Sequence, residues 1–444
     1  MTHERNLQAL IPGQAVLRRA KVSLELGGSL SNVSVAYKTW GKLNANGTNA
    51  TVVCHALSGS ADVEDWWGPL LGPGKAFDPE IFFVFCGNVL GSPYGTTSPV
   101  STDPATGRAY GPTFPSTTVR DDVRLHKTVL DSLGVTQVQF AIGGSMGGMQ
   151  VLEWAFFGPE YVRNIVPIAT SGRHSAWCIS WGESQRQSIY SDPNYADGNY
   201  PPDKAPTSGL AAARMQALLT YRSRNSFESR FGRKVMPAPP SPARHPTDAA
   251  TPERSRSPSE TASMMHNEGL KPSFHHPKAA TGGAATIPDS EAPTVYSAQS
   301  YLRYQGDKFI KRFDANCYIS ITRKMDTHDI SRGRGEYREV LASIRQPTLV
   351  IGIETDGLFT IGEQRELADH IPNAQLEVIE SPEGHDGFLL EFERMNHLIS
   401  AFIRKHAPPE LYDGKDLSAA APQAADFAVT KTSVFGEAED ALMW

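Results

Sequence analysis

In this 444-residue sequence the residues best suited to chemistry are Gly143-Gly144-Ser145-Met146-Gly147. Gly-x-Ser-x-Gly is a short pattern of common residues, and its setting gives it weight. An apolar run precedes it and an apolar helical stretch follows, as at a sharp strand-to-helix turn that projects a nucleophile. The flanking glycines then let strand and helix crowd a serine held in a strained conformation. A serine hydroxyl attacks poorly until a base takes its proton, so a histidine and an orienting acid must follow. At such turns the chain order is serine, acid, histidine. Asp356, in Glu354-Thr355-Asp356-Gly357-Leu358-Phe359, and His385, in Glu383-Gly384-His385-Asp386-Gly387-Phe388, fit that order. His385 would act as general base and then general acid, with Asp356 fixing its tautomer. Glu354 is the competing acid, but it sits nearer the strand end and should point elsewhere. Acyl chemistry also needs donors for a tetrahedral oxyanion. The N–H of Met146 is one candidate. The N–H of Leu57, in His55-Ala56-Leu57-Ser58-Gly59, is the other, unless that loop is merely structural.

These residues need a sheet edge to hold them. Apolar runs at 51–57 and 81–86, rich in β-branched or aromatic residues, read as strands buried on both faces of a parallel sheet. Two further β-like runs lie at 16–26 and 33–39. Residues 119–133 repeat apolar side chains at helical spacing and end before Gly134. A buried strand at 138–142 runs into Ser145, a helix continues to about 157, and another strand follows at 164–169. The α/β alternation returns at 347–353, 374–379 and 389–405. This pattern predicts a mostly parallel, doubly wound α/β sheet, the α/β-hydrolase fold. Asp356 and His385 each follow the carboxyl end of a strand, where ligands bind in open α/β sheets.

Between 172 and 345 the pattern turns helical, notably at 184–190, 210–221 and 297–313. We read it as a cap inserted between sheet segments 1–171 and 346–407. Within it, 225–293 differs again: eleven of the chain's 32 prolines fall in 237–293. Few large apolar residues accompany them, and such a composition cannot offset its ordering entropy, so a loosely ordered insert is expected. The tail, 408–444, is polar and Ala-rich.

Composition narrows the function classes. A net charge of −6 gives no electrostatic reason to expect nucleic acid or an anionic membrane as partner. No run approaches the roughly 18 apolar residues of a membrane span, and no secretory leader is visible, so a cytoplasmic protein is expected. Asn32, Asn46 and Asn49 begin N-x-[ST] sequons and read as plain polar residues. Cys54, Cys86, Cys178 and Cys317 are widely spaced and read as buried free thiols, with no metal-ligand cluster and no permanently bound cofactor.

Taken together, these motifs resemble those of the homoserine O-acetyltransferase family, in its fungal form with a low-complexity insert. The resemblance covers about residues 15–225 and 295–405. It rests on the stretches around Leu57, Ser145 and His385, and on Gly91-Ser92-Pro93-Tyr94-Gly95, Gly209-Leu210-Ala211-Ala212-Ala213-Arg214 and Leu219-Thr220-Tyr221-Arg222-Ser223. Further matches are Tyr301-Leu302-Arg303-Tyr304-Gln305-Gly306, Phe313-Asp314-Ala315-Asn316 and Asp326-Thr327-His328-Asp329. The resemblance implies ping-pong transfer of an acetyl group from acetyl-CoA to L-homoserine, giving O-acetyl-L-homoserine for methionine biosynthesis. It implies that Arg214, assisted by Tyr221, binds the amino acid's carboxylate and that Asp386 binds its ammonium. It further implies a homodimer through the cap. By residue pattern alone, Arg214 reads as a surface helix charge and Asp386 as a loop acid. A serine acyltransferase, a deacetylcephalosporin C acetyltransferase, a succinyl-CoA donor, and an esterase or thioesterase share these motifs and stay open. A non-catalytic binding protein fits poorly with so complete a triad.

Overall fold

The computed structural model describes residues 6–236, 257–267, 269, 294–413 and 427. Its centre is one eight-stranded sheet: β1 (Ala15–Ser23), β2 (Ser29–Trp40), β3 (Ala50–Cys54), β4 (Phe83–Gly87), β5 (Val138–Gly144), β6 (Val162–Ile168), β7 (Thr348–Ile353) and β8 (Ala374–Ile379). The spatial order is β1-β2-β4-β3-β5-β6-β7-β8. Strand β2 runs antiparallel to β1 and to β4. All other pairings are parallel. This is the mostly parallel α/β sheet that the alternation predicts. Every residue of β3, β4, β5 and β7 is buried, which explains why those segments read as unbroken apolar runs. Edge strand β1 has no fully buried residue.

Counting helices of seven residues or more, α1 (Val119–Leu133) and α2 (Met146–Ala155) pack on the sheet. Helix α1 starts at a Thr118–Asp121 capping box and stops at Gly134 in the left-handed conformation, φ 87°. The cap segment supplies α3 (Ala176–Tyr190), α4 (Thr207–Tyr221), α5 (Arg224–Arg230), α6 (Pro258–His266), α7 (Ser297–Arg312), α8 (Ala315–Asp326) and α9 (Tyr337–Ser343). Helices α10 (Ile361–His370) and α11 (Phe392–His406) follow β7 and β8.

Several boundaries differ from expectation. The run at 51–57 stops being a strand at Cys54, because His55 to Leu57 turn across the sheet edge. Helix α3 begins eight residues before 184: Ser175 caps it by accepting from Cys178 N–H, 3.3 Å. Its exposed Trp177 and Ile179 hide the amphipathic pattern. The single helix expected from 389 is two, broken at Glu391 with φ −84° and ψ 54°. Most of the expected insert lies outside the described residues, as does the tail beyond 413 apart from Phe427. Of its described parts, α5 is capped by Ser223 and α6 by a Ser257–Glu260 capping box. The chain departs and returns at one place, since Val235 bridges Tyr296 and Met236 N–H donates to Val295 O at 2.8 Å. Among the sequons, Asn49 is buried and donates to the carbonyls of Lys42 and Ile81, both at 3.0 Å.

Among the described residues no helix is long and apolar enough to cross a membrane. Apolar clusters fill both faces of the sheet. A third, including Leu57, Met146, Met149, Leu210 and Phe309, lies where the cap meets the sheet's carboxyl edge. A buried ion pair fastens the same junction: Lys324 of α8 donates to Asp122 of α1 at 2.5 Å and to Leu90 O at 2.7 Å.

Candidate active site

Ser145 stands between β5 and α2 with φ 58° and ψ −125°, a conformation a side chain rarely adopts. It is held there on both sides. Its N–H donates to Ile168 O at 2.9 Å, and its carbonyl accepts from Thr170 Oγ1 at 2.8 Å. The flanking glycines are needed for space. A Cβ on Gly147 would lie 2.1 Å from Cys54 O, and one on Gly144 would lie 2.5 Å from the Phe388 ring.

Asp356 and His385 sit on the loops after β7 and β8, and the structure joins them. His385 Nδ1 lies 2.6 Å from Asp356 Oδ2, with both groups buried. The other carboxylate oxygen, Oδ1, accepts from the N–H groups of Leu358 and Phe359 at 2.8 and 2.9 Å. Thr355 ties the two loops together, donating to Ser381 O at 2.6 Å and accepting from Gly384 N–H at 3.0 Å. Glu354, the competing acid, is exposed, and its backbone N–H donates to Ile379 O. Burial would lower the imidazole's pKa, but the charge and hydrogen bond of Asp356, then the charges of Asp386 and Glu363, outweigh it and hold His385 above its usual value. The His385 ring packs on Phe359 and Tyr221, which line a cleft with Ser145, and on Phe388, the ring against Gly144.

Leu57 also lines that cleft, and Met146 is buried beside Ser145. The loop bearing Leu57 is braced by a histidine that residue pattern did not single out. Val89 N–H donates to His55 Nε2 at 3.2 Å, so Nδ1 carries the proton and donates to Ala56 O at 2.8 Å. Burial holds His55 neutral, pushing its pKa down to about 3. From the cap, Arg312 Nη1 donates to Ser58 O at 3.0 Å.

The cap closes the cleft with Trp181, Gly182, Gln185, Tyr221, Met325 and Asp326. Arg214 is not the surface charge its position on a helix suggests: it is 2% exposed, with its guanidinium 5.6 Å from the Tyr221 ring and 5.0 Å from the Phe309 ring. Asp386 is buried as well, and its Oδ2 lies 2.9 Å from Arg222 Nε. Arg222 also pairs with Glu383 on the other side of His385. Gly384, at φ 72°, presses this loop so closely on Arg222 and Ser223 that a Cβ would lie 2.5 Å from Ser223 N. Neither contact has a signal at the sequence level, because 161 residues separate Arg222 from Glu383. All four cysteines are free and buried. Cys178 lines the cleft, but burial pushes its thiol to about 12, which disqualifies it as a rival nucleophile at neutral pH.

Sheet order and site together define an enzyme of the α/β-hydrolase fold. A family model described as alpha/beta hydrolase fold matches residues 50–266. Homoserine O-acetyltransferase of Saccharomyces cerevisiae is 52% identical over 481 aligned positions, covering 99% of this chain and 95% of the relative. That of Emericella nidulans is 53% identical, covering 98% and 95%. This chain belongs to the homoserine O-acetyltransferase family. Among solved structures, homoserine O-acetyltransferase from Bacillus anthracis superposes with a TM-score of 0.68 at 21% identity, covering 87% of this chain and 97% of that one. Esterase E22 superposes with a TM-score of 0.68 at 25% identity, covering 88% and 99%.

Proposed function

We propose that this protein transfers an acetyl group from acetyl-CoA to the side-chain hydroxyl of L-homoserine, with Ser145 as the covalent carrier. The 2.6 Å His385–Asp356 pair beside the cleft that Ser145 lines is the observation that carries this reading. In the first half-reaction His385 Nε2 takes the Ser145 proton as Oγ attacks the thioester carbonyl. The N–H groups of Leu57 and Met146 receive the oxyanion. The carbon–sulfur bond breaks, and the thiolate leaves with the proton from His385. In the second, His385 takes the homoserine hydroxyl proton, the alkoxide attacks the acetyl-serine, and Ser145 leaves and recovers its proton. O-acetyl-L-homoserine is the product, a precursor for methionine biosynthesis.

Arg214 supplies a planar donor fork for the amino acid's carboxylate, with Tyr221 beside it. Asp386, anchored by Arg222, supplies a carboxylate for the ammonium next to the base. A water-using esterase has no need of this pair of charges, which favours an amino-acid acceptor. Four free buried thiols suit a reducing compartment, and we read the protein as cytoplasmic. Exposed Trp177 and Ile179 on α3 and Leu219 on α4 support a homodimer through the cap, which light scattering on the purified protein would test.

The decisive experiment follows CoA release from acetyl-CoA with L-homoserine, L-serine, deacetylcephalosporin C or water as acceptor, and repeats it with succinyl-CoA. Fastest release with acetyl-CoA and homoserine is expected. Equal release with water alone would make the enzyme an esterase or thioesterase. Mass spectrometry should find the acetyl adduct on Ser145 and none in Ser145→Ala; an adduct elsewhere would refute the nucleophile.

A further inference from the structure

The cap wall of the cleft holds a polar cluster that the acyl-transfer steps leave unused. Arg186 of α3 is 3% exposed. Its Nε and Nη2 donate to Glu183 Oε2 at 3.1 and 3.0 Å, and Nη2 also meets Asp326 Oδ2 at 2.7 Å. Among the described residues three buried atoms here have no hydrogen-bond partner: Arg186 Nη1, Asp326 Oδ1 and Trp181 Nε1. Buried polar atoms are normally paired, so three orphans together mark a place where something else supplies the partners.

Gly182 leaves the room for it. A Cβ at Gly182 would lie 3.2 Å from Arg186 Nη1 and 3.5 Å from Asp326 Oδ1, so its hydrogen opens a notch onto both atoms. Glycine in the interior of a helix is less stable than alanine, and an alanine here would narrow the notch. Arg186 and Arg323 together balance the carboxylates of Glu183 and Asp326, so the notch offers one donor and one acceptor without net charge. That pattern fits a secondary amide, whose carbonyl accepts and whose N–H donates, better than a carboxylate or an ammonium. The pantetheine arm of an acyl-CoA carries two secondary amides behind the thioester.

We propose that the notch formed by Gly182, Arg186 and Asp326 is an amide subsite that grips the pantetheine arm of the acyl donor. Arg186 Nη1 donates to an amide carbonyl, Asp326 Oδ1 accepts the amide N–H, and Trp181 Nε1 supplies a second donor. The assignment rests on acetyl-CoA being the donor.

The test is steady-state kinetics on the full-length Gly182→Ala, Asp326→Asn and Trp181→Phe variants, with melting temperature measured alongside. Each should raise KM for acetyl-CoA by at least roughly 3- to 10-fold, the net worth of one hydrogen bond lost or blocked, while KM for homoserine moves less than about twofold. The loss in kcat/KM should be several-fold greater with acetyl-CoA than with p-nitrophenyl acetate, which has no amide. Gly182→Ala should melt no lower than the wild type, which separates a blocked notch from a damaged fold. Equal losses with both donors, or a rise confined to KM for homoserine, would overturn the subsite while leaving the donor intact. Wild-type protein that releases no CoA from acetyl-CoA would overturn the donor reading and the subsite with it.

Discussion

Replacing Asp356 by asparagine removes a charge and almost no volume, and the structure dictates how the new side chain must sit. Asp356 Oδ1 accepts two backbone N–H groups, from Leu358 and Phe359, while Oδ2 faces His385 Nδ1 at 2.6 Å. An asparagine keeps its carbonyl oxygen toward the two N–H groups, because turning its NH2 there would set donors against two donors. Its NH2 then faces His385 Nδ1. The imidazole must accept at Nδ1 and carry its proton on Nε2, the tautomer that cannot take a proton from Ser145. The same exchange in a serine triad lowers kcat about 10⁴-fold, close to 5.5 kcal/mol of transition-state stabilisation. CoA release followed with a thiol reagent, or the acylation burst with p-nitrophenyl acetate, would read it, with circular dichroism confirming an intact fold. Activity within about tenfold of wild type, against that 10⁴, would mean that His385 is not the base or that Asp356 does not set its tautomer.

Three further outcomes follow from the same contacts. As the proposed base His385 must be neutral, and its pKa is held above the usual 6.5, so kcat/KM for p-nitrophenyl acetate should rise with pH along an acid limb centred above 6.5. Asp386→Asn removes one of the charges that raise it, so the limb should move to lower pH; an upward move would contradict the assignment. Gly144→Ala places a Cβ 2.5 Å from the Phe388 ring, so we expect about 1–3 kcal/mol of destabilisation in a denaturant titration and, as Phe388 packs on His385, about 10²-fold lost activity. Lys324→Met strands Asp122, whose pKa burial already pushes up to about 6 against the pull of Lys324. Breaking such a pair costs about 3–5 kcal/mol, and at about 2.1 cal/mol/K per residue over 444 residues the calorimetric melting point should fall by about 3–5 °C. A carboxyl with a raised pKa contributes stability at pH below its unfolded value and loses it as pH rises through about 6. The penalty should therefore be larger at pH 8 than at pH 5, and Asp122→Asn in the same chain should recover part of it.

Much of the scaffold is legible in the sequence because its signals are local. Buried strands read as short apolar runs, α1 announces itself by spacing and by Gly134, and Ser145 by its glycines. The later loops present Asp356 and His385 in chain order. Where local signals mislead, the reason is visible. Cap helix α3 exposes Trp177 and Ile179, so its first two turns carry no amphipathic stripe. Arg214 looks like a surface charge because a helix in sequence does not say what will be laid over it; here Tyr221 and Phe309 cover it.

From the sequence alone one can name the fold, the nucleophile candidate and the order of its partners, since strand and turn preferences depend on neighbours a few residues apart. The tertiary structure decided which acid meets His385, by exposing Glu354 and burying Asp356 in a cage of two N–H groups. It also decided that Asp386 pairs with Arg222, that His55 braces the loop of Leu57, and that Gly182, Arg186 and Asp326 lie around one notch. Those pairings join residues up to 164 positions apart in the chain, as with Arg222 and Asp386. No local propensity encodes such contacts; they exist only once the sheet edge and the cap are packed against each other.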